Sequence, residues 1–115
     1  MTSKTNMNIA RSPALSNVGF LVKTGYGVLY GWSITNQAAA ASVTVKIYDK
    51  VAPTVGTDTP KFSVTIPQNS MAVLGPPSQF AVEFNTAIFV AATVEATDAG
   101  ATVPGTAVNA NFFYV

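Results

Sequence analysis

The sequence predicts an all-β domain, a single antiparallel β-sandwich of about eight strands with jelly-roll-like organisation. Three observations carry this. Apolar residues alternate with small or polar ones along several short runs, and Gly, Pro, Asn and Asp punctuate those runs at turn positions. No stretch shows the 3.6-residue period that a crossover helix would need.

Residues 1–17, MTSKTNMNIARSPALSN, contain an isolated Ile9 and Leu15, a Pro13 and no sustained period. They read as an N-terminal arm outside a sandwich domain of residues 18–115. From Val18 the period is two: Val18, Phe20 and Val22 alternate with Gly19, Leu21 and Lys23, and Val28, Tyr30, Trp32 and Ile34 alternate with Leu29, Gly31, Ser33 and Thr35. These are strands with one heavy face, and Val28, Tyr30, Trp32, Ile34, Val43, Val45, Ile47, Phe62, Val64 and Ile66 are expected to be mostly buried. Thr24-Gly25 between the runs suits a hairpin, and Gly25 and Gly27 alternatively mark a bulge.

After an Asn36-Gln37 turn, four alanines, Ala38–Ala41, are too few to nucleate a helix in water and lead into a strand. There Val43, Val45 and Ile47 face one way and Thr44, Lys46 and Tyr48 the other. The stretch APTVGTDTP, Ala52–Pro60, is a loop because Pro and Gly interrupt both helix and central strand. Phe62, Val64 and Ile66 then alternate with Lys61, Ser63 and Thr65 until Pro67. Further strands are expected at Met71–Leu74, Phe80–Phe84, Ala87–Glu95 and Thr106–Val115, with Gly75–Ser78 (GPPS) as a rigid turn. The terminal FFYV belongs inside the sheet, since a solvated tail would expose two Phe and a Tyr.

Composition restricts function. The chain has 11 charged residues in 115, or 10%, and a net charge of +1, where about 25% charged is ordinary. Such a surface is either uncharged and polar or covered by partners. The plainer reading is a small neutral domain that tolerates its surface. With no His and no Cys, Ser-His and Cys-His nucleophile pairs are excluded, as are imidazole and thiolate zinc sites. Asp49, Asp58, Glu83, Glu95 and Asp98 remain for acid–base work, but no spacing selects a pair and no acidic loop resembles a calcium loop. Asp58 and Asp98 read as turn formers. A non-enzyme without metal or cofactor is expected.

Lys4, Arg11, Lys23, Lys46, Lys50 and Lys61 are scattered, which gives no electrostatic footprint for nucleic acid. The longest apolar run, Ala87–Ala92, falls far short of the ~20 residues of a membrane-spanning helix. The N-terminus lacks the apolar stretch of a secretory signal, so synthesis in the cytoplasm is expected. Phe20, Tyr30, Trp32, Phe62, Phe80 and Phe84 fall on alternating positions expected to face a core. Tyr26, Tyr48 and Phe89 are the candidates for a stacking platform if they face outward.

The order GVLYGWSITN (Gly27–Asn36), AAAASVTVKIYDK (Ala38–Lys50), APTVGTDTPKFSVTIP (Ala52–Pro67) and FNTAIFVAATVEATD (Phe84–Asp98) resembles small β-rich structural proteins of tailed bacteriophages, encoded among capsid and head-completion genes. The resemblance covers about Gly27 to Val115. It implies a virion protein of the decoration or cement type on the capsid exterior, with the major capsid protein as partner and a homo-oligomer, a trimer first, as its state. It brings no catalytic residues. Decoration proteins often carry an extended arm, so Ile9, Arg11, Pro13 and Leu15 are the candidate partner contacts, by analogy only, because the arm lies outside the matching region. On this reading, deleting residues 1–17 leaves the sandwich folded and weakens attachment. Competing readings are a tail, neck or fibre-base component and a host-glycan-binding β-sandwich.

Overall fold

A computed structural model describes residues 7–74 and 81–115. The strands are β1 (Asn8–Leu15), β2 (Phe20–Thr24), β3 (Gly27–Asn36), β4 (Val43–Tyr48), β5 (Phe62–Ile66), β6 (Ser70–Leu74), β7 (Val82–Phe84), β8 (Ala87–Thr93) and β9 (Val108–Tyr114). Among the described residues there is no helix. Sheet A has the order β1-β9-β3-β6, with β7 also on β3, and sheet B has the order β2-β8-β4-β5. All pairings are antiparallel. The chain crosses between the sheets after β1, β2, β3, β5, β7 and β8, stays in one sheet from β4 to β5 and from β6 to β7, and its last strand returns beside the first, as in the double Greek key of a jelly roll.

The largest departure from the sequence reading is at the N-terminus. Residues 8–15 are not an arm in this fold: β1 pairs with β9 from Asn8↔Tyr114 to Leu15↔Val108. The pattern was hidden by a register break between Ser12 and Leu15 around Pro13, because a bulge shifts the inward positions by one residue. Ala10 then packs toward the core, and Leu15 is 3% exposed within it. Thr24-Gly25 also differs from the hairpin reading. It carries the chain from sheet B to sheet A, with Gly25 at φ 82° and its N–H bonded to the Thr86 carbonyl.

A second bulge divides β3. Its pairing with β9 shifts between Leu29 and Gly31, so the inward residues are Leu29 before the shift and Trp32 and Ile34 after it. Val28 and Tyr30, expected to be buried, are therefore half-exposed, and Leu29 takes their place at 0% exposure. Val43, Val45, Ile47 and Ile66 are buried as expected, and Phe62 and Val64 pack against the core from a half-buried position. Trp32 meets Phe62 at 5.9 Å between ring centroids, joining the two sheets at their β3 and β5 side. Val18, where the period-two run is expected to begin, lies before β2 and is exposed. The Gly75–Ser78 turn and Phe80 lie outside the described residues.

These placements set the expected stability effects. Leu29→Ala is expected to cost about 2–5 kcal/mol and Trp32→Ala about 3–5 kcal/mol in urea unfolding, with Tyr30→Ala costing clearly less than Leu29→Ala. An equal loss at positions 29 and 30 would contradict the bulge. Deleting residues 1–17 removes Leu15 and uncovers the β9 edge. The truncated chain is therefore expected to lose its cooperative thermal transition, the reverse of what an arm would give.

Candidate docking face

The two sheets treat their outer faces differently. On sheet B, Thr44, Lys46 and Tyr48 of β4 and Ala91 and Thr93 of β8 point away from the core yet are buried. The segment after β8 covers them. Lys46 Nζ donates to the carbonyls of Thr97 and Gly100, each at 2.7 Å. Glu95 closes the same loop by accepting from the backbone N–H and hydroxyl of Thr102. Gly100 is required there, since a Cβ would fall 2.2 Å from the Glu95 Cβ. Gly56, at φ 93°, brings the loop after β4 against Ala99 and Ala101. Burial of Lys46 lowers its pKa, opposed by Glu95 and Asp98, so the ammonium is satisfied by loop carbonyls and pins the cover down.

Sheet A has no such cover among the described residues: its outward side chains all remain at least partly exposed. Across the strands, Arg11 neighbours Asn111, Asn111 neighbours Ser33, and Ser33 neighbours Val73. The next row runs Asn109, Thr35, Met71. Toward the other end, Ile9 lies beside Phe113, and Val28 beside Glu83. Ile9, Met71 and Val73 are 66%, 61% and 61% exposed. Sheet A holds two charged residues, Arg11 and Glu83, whereas Asp49, Lys50, Asp58, Lys61, Glu95 and Asp98 lie in loops between strands. A shallow depression of about 300 Å³ between Thr35, Asn36, Gln37, Asn69, Ser70 and Met71 closes one end of the face.

Of the candidate contacts, Ile9, Arg11 and Pro13 are exposed on β1, while Leu15 belongs to the chain's own core. Met71, Val73 and Glu83 join the face without having been singled out. One signal was available for the first two: Ser70–Leu74 carries apolar residues on both strand faces. The fold does not gather the five carboxylates into one cleft. Asp49 accepts from the backbone N–H groups of Asn85, Thr86 and Ala87 at 3.0, 2.8 and 3.2 Å, fastening the end of β4 to the β7–β8 turn. Asp58 accepts from Lys50 Nζ and the Thr54 N–H, as a turn former does. Glu83 accepts from the Tyr26 hydroxyl at 2.5 Å. Among the described residues, no three of Asp, Glu, His and Cys converge on a point.

For the stacking platform, Tyr48 is buried and touches Phe89 edge-on, Phe89 is half-buried, and Tyr26 is exposed. Among the described residues no helix is long and apolar enough to cross a membrane. Comparison with family models, curated proteins and solved structures finds no match.

The carboxylates predict an acid limb of stability. Burial raises the Asp49 carboxyl, but the N–H groups of Thr86, Asn85 and Ala87 and the charge of Lys61 outweigh it and hold the group below the usual range. Asp58 is lowered by Lys50 and the Thr54 N–H, and Glu95 by the Thr102 hydroxyl and N–H. Depressed folded values mean that the unfolded chain binds more protons in acid. The stabilisation is thus complete above the ordinary carboxylate range and lost as pH falls through the folded values. The melting temperature should hold from neutrality to about pH 5 and decline below it. Asp49→Ala is expected to cost about 1–2 kcal/mol at pH 7 and to flatten the acid decline. Parallel pH profiles for the two proteins would contradict the Asp49 contribution.

Proposed function

We propose that this chain is a non-enzymatic structural protein of a tailed-phage virion, a capsid decoration protein that lies against the major capsid protein through the outer face of sheet A. The observation carrying the reading is the asymmetry at the centre of the sandwich: a loop covers the outward side chains of β4 and β8 in sheet B, while no described loop covers sheet A, which keeps Ile9, Met71 and Val73 in water. Exposed apolar groups on one sheet favour a surface that is covered in use. The near absence of charge lowers the desolvation cost of covering it. Four strands about 4.8 Å apart and a ten-residue β3 rising about 3.3 Å per residue span an area on the order of 600 Å². A standard interface takes ~800 Å² from each partner, so the face and the adjoining edge residues are of suitable size. The resemblance to phage structural proteins supplies the identity of the partner.

The test is co-sedimentation of the protein with undecorated capsids of the parent phage. The wild-type chain should pellet with the shells. Met71→Lys combined with Val73→Lys, at exposed positions that leave the fold intact, should weaken binding at least tenfold, whereas Lys50→Glu in a sheet B loop should not. If the wild-type protein stays in the supernatant, the decoration reading fails and a tail or neck position takes its place. Binding unaffected by the lysine pair would remove the face from the interface.

A further inference from the structure

Three of the four strand edges carry devices that discourage pairing with another chain. β1 has Arg11, Pro13 and the break between Ser12 and Leu15. β2 has Lys23 and a register shift between Leu21 and Lys23. The far edge of sheet A is divided between β6 and the three-residue β7. Charges, prolines, bulges and short strands are the means by which native sheets protect their edges.

β5, five residues long like β2 and β6 and flanked by Lys61 and Pro67, carries no charge, proline or bulge within the strand itself. Phe62-Ser63-Val64-Thr65-Ile66 contains no charge and no proline, and it pairs with β4 in unbroken register from Val43↔Ile66 to Ile47↔Phe62. It ends sheet B, and among the described residues no backbone hydrogen bond reaches its far side. We propose that β5 pairs antiparallel with β5 of a second copy, about a two-fold axis through Val64.

The strand is self-complementary in that register. Phe62 falls opposite Ile66 of the second copy, Ser63 opposite its Thr65, and Val64 opposite its Val64. An aromatic faces a β-branched side chain twice, a hydroxyl faces a hydroxyl twice, and no like charges meet, which are favourable cross-strand pairs. An isologous contact of this kind closes on itself as a dimer, in place of the trimer that the phage resemblance suggests. The geometry has a further consequence. The two-fold of an antiparallel pair is normal to the sheet, so the four strands of each sheet B continue into one another. Both sheet A faces then look the same way, and the open face is doubled in one plane. Such a dimer is suited to span two neighbouring capsid subunits. The pairing goes beyond the decoration reading and stands without it.

The test needs no capsid. Sedimentation equilibrium of the full chain at high micromolar concentration should give twice the chain mass. Ser63 and Thr65 are exposed, so both accept long side chains. Ser63→Lys with Thr65→Lys sets lysine against lysine at two symmetric places and should give the single chain mass with an unchanged circular dichroism spectrum. Ser63→Lys with Thr65→Glu sets opposite charges together and should restore the dimer. A monomeric wild-type chain overturns the proposal, as does an oligomer that survives the lysine pair, or a Lys/Glu variant as monomeric as the Lys/Lys one. Should the lysine pair unfold, the wild-type mass and the Lys/Glu variant still decide. A failed mass measurement leaves capsid binding untouched, and failed capsid binding by an intact dimer leaves the pairing untouched.

Discussion

The fold depends on the last strand lying between the first and the third. β9 is bonded to β1 on one side and to β3 on the other, so sheet A cannot form until residues more than seventy positions apart have met. Among the sheet neighbours, β4 and β5 alone are consecutive in the chain. Every other pairing must offset the loop-closure entropy of a long intervening segment before its hydrogen bonds contribute. The burial of Leu15, Leu29, Ile34, Val108, Ala110 and Phe112 in one cluster supplies that compensation. β1 and β9 are therefore structural members and not appendages.

The same arrangement gives the two sheets different outer faces. Lys46 is an ion with no exposed surface, held by two carbonyls from a loop that Gly100 and Glu95 keep closed. A buried ammonium is tolerable only when its donors are used, so the cation and its loop are mutually dependent. Sheet A has no equivalent residue and no equivalent loop among the described residues. Its outward side chains are amides, hydroxyls, a few large apolar groups and the two charged residues Arg11 and Glu83.

The remaining polar groups fasten strand ends. Asp49 links the exit of β4 to the turn between β7 and β8. Asn36, 1% exposed at the end of β3, donates to the carbonyls of Ala41, Ile66 and Pro67 and accepts from the Ala38 N–H. These two side chains tie together the two sheets at places where the chain crosses between them. Glu95 plays a similar part in its loop, accepting from the Thr102 backbone N–H as Asp49 accepts from that of Thr86.

Eight of the nine strands, the antiparallel class and most of the core were legible in the sequence, because period-two alternation and turn residues are local signals. Val43, Val45, Ile47 and Ile66 follow from alternation alone. What failed was whatever a bulge decided. A single extra residue near Pro13 erased the signal of β1, and another at Tyr30 exchanged Val28 and Tyr30 for Leu29 in the core. The open face was legible only in part: the composition showed that little of the surface would be charged, but which side chains share a face depended on which strands became neighbours. Arg11, Asn111, Ser33 and Val73 are scattered through the chain and adjacent in the sheet. Thus composition and alternation determined that two neutral, half-buried sheets would form. Strand order, bulges and the closure of a loop over Lys46 decided that the centre of sheet B is covered and the centre of sheet A is not, because these follow from long-range pairing that local sequence does not encode.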